Sequence, residues 1–224
     1  MATVKCWRHL RRATDPIRKP IVKYLSLLLL LAGPVLADDA EALRQRLAGL
    51  ESLKANFSQQ VTDVNQKQIQ QGEGVLALGF PNRFYWHLTE PDESLIVAAK
   101  ETVWIYNPFA EEVTALDMAD VLEASPMALL VQQDKASWDK YDIKAKGDCY
   151  AISPKDKTQS AVVDVTVCFK GEVLSSLSLT DEQHNLSHFE LSGVTKLSDT
   201  DSTLFQFDLP QGVTLDDQRK GFAK

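Results

Sequence analysis

The sequence is poor in cations, and many of those it has lie at one end. Its 224 residues include 24 Lys and Arg against 31 Asp and Glu, a formal net charge of −7. Residues 1–37 hold seven of the cations and one acid, which leaves 17 cations and 30 acids in residues 38–224, a net charge of −13. A body this acidic repels phosphate backbones and anionic lipid surfaces, so we expect no nucleic acid partner.

Recognisable catalytic motifs are absent from the sequence. It contains no G-x-S-x-G nucleophile elbow, no phosphate-binding glycine loop and no H-E-x-x-H zinc motif. His184 and His188 have the spacing of helical metal ligands, but the residues between them favour a turn, so we interpret both as exposed. The acid pairs at 111–112 and 216–217 are typical of solvated loops. We therefore predict no enzymatic activity, no cofactor and no metal.

No apolar run is long enough to span a membrane. The run at 24–37 has 14 residues interrupted by a Gly-Pro pair, whereas a helical anchor, the alternative interpretation, needs about 20. It follows a basic segment that ends at Lys23 and closes with small residues, which is the pattern of a secretory signal peptide. We predict cleavage after Ala37 and a soluble, exported domain over residues 38–224. Because the first mature residue is Asp38 and not Cys, no N-terminal lipid is expected.

Only two cysteines follow the predicted cleavage site, Cys149 and Cys168. An isolated pair in an oxidising compartment usually forms a disulfide. Both lie on short strand-like stretches around a polar connection, and an antiparallel hairpin would set them opposite one another. A redox-active pair would favour C-x-x-C spacing, which is absent. We predict a structural disulfide.

The mature sequence has the pattern helix, strands, helix, strands. Two acids at 38–39 can cap a helix with an apolar stripe that runs from Leu43 to Phe57. Five short β-branched or aromatic segments follow, and the stretch 117–134 is again helical. Strand patterns return over 141–209. This order predicts one antiparallel sheet, strongly curved or an open barrel, with the helices on one face.

Several strands carry apolar residues on both faces. Phe84 and Trp86 alternate with Tyr85, and Trp104 alternates with Val103 and Ile105. Strands of this kind are at least partly covered on both faces. Composition alone leaves open whether the cover is a filled core or a ligand cavity.

Five segments, in order along the mature sequence, carry a family resemblance. Together they resemble the LolA family of periplasmic outer-membrane lipoprotein carriers, and behind a signal peptide the combination is specific. The segments are 57–63 (Phe-Ser-Gln-Gln-Val-Thr-Asp), 81–86 (Pro-Asn-Arg-Phe-Tyr-Trp), 91–94 (Pro-Asp-Glu-Ser), 103–108 (Val-Trp-Ile-Tyr-Asn-Pro) and 211–220 (Gln-Gly-Val-Thr-Leu-Asp-Asp-Gln-Arg-Lys).

The resemblance implies a mainly β fold, an unclosed antiparallel β-barrel with an α-helical lid over a hydrophobic cavity that holds acyl chains. Such a carrier takes outer-membrane-directed lipoproteins from an inner-membrane lipoprotein-releasing ABC transporter and passes them, through the periplasm, to an outer-membrane lipoprotein receptor. The receptor shares the fold but is lipid-anchored. Asp38 at the predicted mature N-terminus therefore places this chain with the carrier, and we expect a monomer.

The resemblance also assigns roles to residues by position. Phe84 matches an aromatic residue at the cavity rim that takes part in cargo acceptance and transfer. The remaining assignments fall into two sets, the cavity and the lid. The cavity set is Leu50, Phe84, Trp86, Trp104, Tyr106, Met127 and Leu130, and the lid set is Leu43, Leu47, Leu129 and Val131.

One position departs from the family pattern. The family commonly has an arginine just before the proline of the Pro-Asn turn, where it latches the lid by hydrogen bonds to lid backbone, and here that position is Phe80. If Pro81 and Asn82 form a two-residue hairpin turn, residues 80 and 83 face each other, and Arg83 can take over the latch. Closure by Arg83 and closure by apolar packing of Phe80 both remain open.

The leading hypothesis is a non-enzymatic lipoprotein shuttle. A carrier or sensor of other lipids with the same fold is the first alternative. A periplasmic hydrolase is the second, but it requires an activatable nucleophile that the sequence lacks. A binding domain with a solid core is the third.

Overall fold

The computed structural model describes residues 38–50, 52–80, 82–124, 129–131, 134–156 and 162–220. The signal segment 1–37, the lid residue Met127 and the turn proline Pro81 lie outside these described residues. The predicted cleavage and the extent of the mature domain therefore stay predictions.

The described residues form one sheet of twelve strands. Six strands precede the central helices: β1 (Leu53–Thr62), β2 (Gln68–Gly79), β3 (Arg83–Glu90), β4 (Ser94–Ala99), β5 (Thr102–Asn107) and β6 (Glu112–Asp117). Six follow them: β7 (Tyr141–Lys146), β8 (Cys149–Pro154), β9 (Val162–Lys170), β10 (Val173–Asp181), β11 (Leu186–Lys196) and β12 (Thr214–Asp217).

The strands are ordered β12-β6-β5-β4-β3-β2-β1-β11-β10-β9-β8-β7. Neighbours are antiparallel except β12 and β6, which are parallel. Consecutive strands are mostly hairpin neighbours, and the β1–β11 pair joins the two halves of the sheet. Because β12 and β7 form the two edges, the sheet is unclosed, which confirms the predicted fold class.

The described part of the chain also forms three short α-helices: α1 (Asp39–Gly49), which precedes the strands, and α2 (Met118–Ala124) and α3 (Lys135–Trp138), which lie between β6 and β7. Asp38 caps α1 by accepting a hydrogen bond from the Ala40 N–H at 3.2 Å. The Asp39 carboxylate accepts another, from the Ala145 N–H of β7, at 2.9 Å, and so ties α1 to the sheet. Leu43 and Leu47 are fully buried in the main core.

The predicted first helix is too long. α1 ends at Gly49, and Leu50 already has an extended backbone. Leu53, Ala55 and Phe57 are buried at alternate positions of β1, where the period of two of a strand replaces the helical period. Leu47, Leu50 and Leu53 are spaced by three and therefore fit a helical pattern. Residues from Leu53 onward nevertheless form a strand, because they pair with β2 and β11.

Other predicted elements also differ from the structure. A sixth strand, β6, precedes the second helical region, and that region is divided into α2, a turn at 129–131 and α3. The strand predicted at residues 204–209 is wrong, because a 3-10 helix, Asp199–Phe205, covers its start and residues 206–209 have no regular secondary structure. Asp201 opens this helix by accepting a hydrogen bond from the Ser198 N–H at 2.9 Å.

The predicted disulfide is present. Cys149 of β8 and Cys168 of β9 are register partners, with their Cα atoms 4.1 Å apart and the sulfur atoms bonded. The bond joins two neighbouring strands near the β7 edge of the sheet, and neither strand contributes a lining residue to the cavity described below.

Candidate functional site: an apolar cavity on the inner face of the sheet

The inner face of the sheet carries a cavity of about 380 Å³. Strand register sets its wall, because Trp86 faces Ile96 and Ile96 in turn faces Ile105, which brings one residue from each of β3, β4 and β5 to the same face. The lining residues are mostly apolar, and none is ionisable. They are Gln59, Gln70, Phe84, Trp86, Leu88, Ser94, Ile96, Ala98, Val103, Ile105, Met118, Val121, Val131, Leu179 and Phe189.

Packed aromatic rings form the floor of the cavity. The Trp86 ring stacks on Phe57, with centroids 4.1 Å apart, and meets the edge of Phe189 at 4.7 Å. Gly74 lies directly opposite Phe57 on β2. A Cβ at residue 74 would lie 2.5 Å from the Phe57 ring and 2.1 Å from the His87 carbonyl oxygen. The missing side chain at Gly74 therefore makes room for the ring that supports Trp86.

Helical segments cover one end of the cavity. Met118 and Val121 reach it from α2, and Val131 reaches it from the turn that precedes α3. Val131 is only 3% exposed, and its carbonyl accepts a hydrogen bond from the Asn82 N–H at 3.3 Å. The β2–β3 turn is therefore in direct main-chain contact with residues 129–131, which include the predicted lid residues Leu129 and Val131 (the predicted lid segment).

The predicted site residues divide between cavity and core. Phe84, Trp86 and Val131 line the cavity. Leu50 is half-buried and packs against the core, but the structure does not place it on the cavity wall. Four more are core residues with at most 2% of their surface exposed, namely Leu43, Leu47, Leu129 and Leu130. Their roles in lipid binding and in the lid stay predictions.

Trp104 and Tyr106 lie on the opposite face from the cavity. Their alternate neighbours Val103 and Ile105 line it instead. Trp104 stacks on Phe207 of the segment that follows the 3-10 helix, with ring centroids 5.2 Å apart, and Tyr106 lies 6.4 Å from the same ring. Both faces of β5 are apolar, so the sequence pattern could not decide which one faces inward.

The β2–β3 hairpin has a different register from the predicted one. Arg83 pairs with Gly79 and not with Phe80, so the loop has three residues and not two. Asn82 has a φ of 59°, in the left-handed region that three-residue hairpin loops use. Arg83 and Phe80 are therefore not opposite each other.

The two latch candidates have different surroundings. The Arg83 guanidinium lies 4.8 Å from the centre of the Phe205 ring, on the 3-10 helix. Gly79 provides the space, because a Cβ there would lie 2.9 Å from Phe205 and 3.0 Å from Arg83. Phe80 packs against the main core cluster, to which Leu129, Leu130 and Val131 also belong.

The C-terminal segment holds α2 in place. The Lys220 N–H donates to Asp117 at 2.7 Å, and its ammonium contacts Asp120 of α2 at 2.6 Å. Arg219 donates to Asp217 at 2.6 and 2.8 Å and lies over Trp104. The hydrogen bonds from Arg219 hold the pKa of Asp217 below its ordinary value. Residues 219–220 therefore contact α2 and the face of β5 opposite the cavity.

The described residues bring together no group of three or more His, Cys, Asp or Glu side chains that could hold a metal ion. His184 lies in the turn before β11, and His188 on that strand is in hydrogen-bond contact with the Ser178 hydroxyl at 2.9 Å. No helix in the described ranges combines the length and apolar character that a membrane crossing requires.

Several lining residues were missed from the sequence. Ile96, Ile105 and Phe189 belong to strands whose alternation was visible, but only the cross-strand register shows which of their faces points inward. Gln59 and Gln70 carried no signal as cavity residues, because polar side chains on a strand normally face solvent.

Three similar proteins are described as outer-membrane lipoprotein carriers. An outer-membrane lipoprotein carrier protein of Shewanella loihica is 56% identical over 202 residues, covering 90% of this chain and 97% of its own. A protein of the same description from Shewanella amazonensis is 53% identical and covers 91% of this chain and all of its own. A third, from Shewanella frigidimarina, is 52% identical over 206 residues, 88% of this chain and 96% of its own.

The family comparison covers most of the domain. The family described as outer membrane lipoprotein carrier protein LolA matches residues 48–208, a range that includes the strands lining the cavity. The fold, the cavity on the inner face and the extent of this match agree with one another. The chain belongs to the LolA family of outer-membrane lipoprotein carrier proteins.

Proposed function

We propose that this lipoprotein carrier works in the periplasm and holds the acyl chains of its cargo in the cavity on the inner face of the sheet. The observation that supports this most directly is the lining, which is apolar along β3, β4 and β5 and lacks ionisable groups among its described residues. The volume of about 380 Å³ is within the usual range for a bound small molecule or lipid tail.

The energetics favour a cavity of this kind. Each methylene removed from water stabilises the complex by about 0.8 kcal/mol, so one long acyl chain contributes on the order of ten kcal/mol. A carrier must supply this burial without recognising the attached protein. An uncharged wall does so, because the hydrophobic effect is non-directional and does not depend on the sequence of the cargo.

Release requires a lid that cargo can displace. The Asn82–Val131 main-chain hydrogen bond contributes about 0.5–1.5 kcal/mol net, which is small beside the burial of an acyl chain. We propose that closure of the empty cavity rests on this bond and on packing of Phe80 against the lid segment, and that loading separates these contacts. A state with a displaced lid and a filled cavity then competes with the empty, closed state.

The direction of transport follows from the predicted signal peptide and the family. Export with cleavage after Ala37 delivers the domain to the periplasm. We propose that it receives outer-membrane-directed lipoproteins from an inner-membrane ABC transporter and delivers them to an outer-membrane receptor. The role is non-enzymatic, and it requires neither a cofactor nor a metal.

Mass spectrometry of the protein purified from periplasm under native conditions tests the proposal. The expected result is a set of complexes whose additional mass corresponds to proteins carrying acyl chains. Complexes with free lipids alone would support a carrier or sensor of other lipids instead. A protein that emerges empty and fails to bind added lipopeptide would contradict the proposal.

A further inference from the structure

The cavity has a polar end. Its three polar lining residues are Gln59 of β1, Gln70 of β2 and Ser94 of β4. Strand register places them at the same end. Ser94 is opposite Leu88, the last cavity residue of β3. Gln59 is opposite Gly72, and Gln70 lies two residues before Gly72 on the same face of β2. The helices cover the other end. The distance between the ends, four residues along β3 from Phe84 to Leu88, is about 13 Å.

The two glutamine amides at this end are available to a ligand. Among the described residues, neither Gln59 nor Gln70 has a side-chain hydrogen-bond partner. Gln60, the next residue on β1 and on the outer face, differs, because its amide donates to Gln68 at 2.6 Å. Gln59 is half-buried and Gln70 is exposed, so this end of the cavity reaches solvent.

The surroundings of Gln59 are closely packed on the side of β2. Its partner across the strand pair is Gly72, whose missing side chain leaves room for Leu88 and for the Glu90 carbonyl. A Cβ at residue 72 would lie 2.8 Å from Leu88 and 2.5 Å from the carbonyl oxygen of Glu90, so a larger residue does not fit without displacing the backbone. On the other side, Phe189 of β11 faces Gln59 and provides an apolar wall.

We propose that Gln59 and Gln70 form a subsite for the ester and amide carbonyls that join acyl chains to the head of the cargo. This inference rests on the proposed function. An acyl chain that enters the apolar end brings its first carbonyl toward the polar end, and burying that carbonyl without a donor is unfavourable. A glutamine side chain supplies two N–H donors, and it remains neutral at every physiological pH.

The subsite predicts a preference in chemical class. Neutral amides bind a neutral ester carbonyl, but they do not compensate the charge of a free carboxylate that leaves water. The cavity should therefore accept diacylated or triacylated protein termini over ionised fatty acids with the same chains. The position of the two amides also fixes how deeply an acyl chain enters.

A matched pair of ligands and a matched set of variants test the subsite. The ligands are a synthetic dipalmitoyl-glyceryl-cysteine peptide and its analogue in which ethers replace both esters, so that only the carbonyls differ. The variants are Gln59→Met and Gln70→Met, which keep the length of the side chain, and Gln60→Met as the control on the outer face. Binding is measured by calorimetry, and thermal unfolding checks that each variant is folded.

The wild-type protein and Gln60→Met should bind the ester ligand about threefold to tenfold more tightly than the ether ligand, which is the range for one hydrogen bond. Gln59→Met and Gln70→Met should each weaken this preference and bind the ether ligand like the wild type. Equal affinity of the wild type for both ligands, or an unchanged preference in the two variants, would overturn the subsite and leave the carrier role intact. If the wild type binds neither ligand, the proposed function fails, and the subsite fails with it.

Discussion

Replacing Gly74 by alanine should disturb the floor of the cavity, because the added methyl group has no space there. A Cβ at this position would lie 2.1 Å from the carbonyl oxygen of His87 and 2.5 Å from the Phe57 ring. Ordinary contact is about 3.5 Å, so both neighbours must move by about an ångström or more. His87 is part of the β3 backbone, and Phe57 supports Trp86 at a centroid distance of 4.1 Å.

The magnitude follows from these contacts. Overpacking of a well-packed core costs about 1–3 kcal/mol, and displacement of the β2–β3 ladder weakens one or two hydrogen bonds that contribute about 1 kcal/mol each. We expect Gly74→Ala to lower the free energy of unfolding by about 2–4 kcal/mol. With an m-value of about 2 kcal/mol/M, the urea midpoint should fall by about 1–2 M.

The assay is urea unfolding followed by tryptophan fluorescence and by circular dichroism, with lipopeptide affinity measured below the transition. Gly49→Ala is the matched control. Gly49 is the last residue of α1, and its φ is outside the left-handed region. Apart from its chain neighbours and the backbone of α1, no described atom lies within 4 Å of a Cβ placed there. This control should be unchanged or stabilised by up to about 1 kcal/mol. Equal stability of Gly74→Ala and the wild type would refute the account of the cavity floor.

Four further predictions concern single features. Phe84→Glu, on the cavity wall, should weaken lipopeptide binding at least about tenfold while the protein stays folded, since the charge must be desolvated beside acyl chains; unchanged binding would remove Phe84 from the site. Replacing Cys149 and Cys168 together by alanine should lower the free energy of unfolding by about 3 kcal/mol on the chain-entropy account, and calorimetry that detects no loss would contradict it. Hydrogen bonds from Ser198 lower the pKa of Asp201, so this group stabilises the fold above its ordinary carboxyl pKa and the contribution is lost as the pH falls; Asp201→Asn should therefore show a weaker loss of stability on acidification. Arg83→Leu should destabilise the fold by about 0.5–1 kcal/mol through loss of the Phe205 contact and leave cargo transfer unchanged, whereas slower transfer would support Arg83 as the latch.

The general architecture could be predicted from the sequence because it depends on local patterns. Alternating apolar residues and frequent turns predicted most strands, and the cysteine pair on neighbouring segments predicted the Cys149–Cys168 bond that the structure contains. The end of the first helix was predicted wrongly because Leu53 and Phe57 satisfy both a helical and a strand period. Pairing with two neighbouring strands decides between them, and it is not a local property.

The cavity depends on register, which local patterns do not determine. Trp104 and Ile105 are both apolar, and the face of β5 that points inward follows from its pairing with β4. In the β2–β3 hairpin, the left-handed backbone of Asn82 adds one residue to the loop and moves Arg83 from a position opposite Phe80 to one opposite Gly79. A shift of one residue in register therefore explains why Arg83 contacts Phe205 and does not face Phe80.

The central claim is that acyl chains of lipoproteins occupy the inner face of this sheet. Site-specific photocrosslinking in cells tests it most directly, with benzoylphenylalanine placed in turn at Ile105, which lines the cavity, and at Tyr106, its neighbour on the opposite face. Crosslinked products are identified by mass spectrometry. The account predicts crosslinks to the acyl chains of lipoproteins from residue 105 and none from residue 106. Equal crosslinking from both positions, or acyl crosslinks from residue 106 alone, would contradict it.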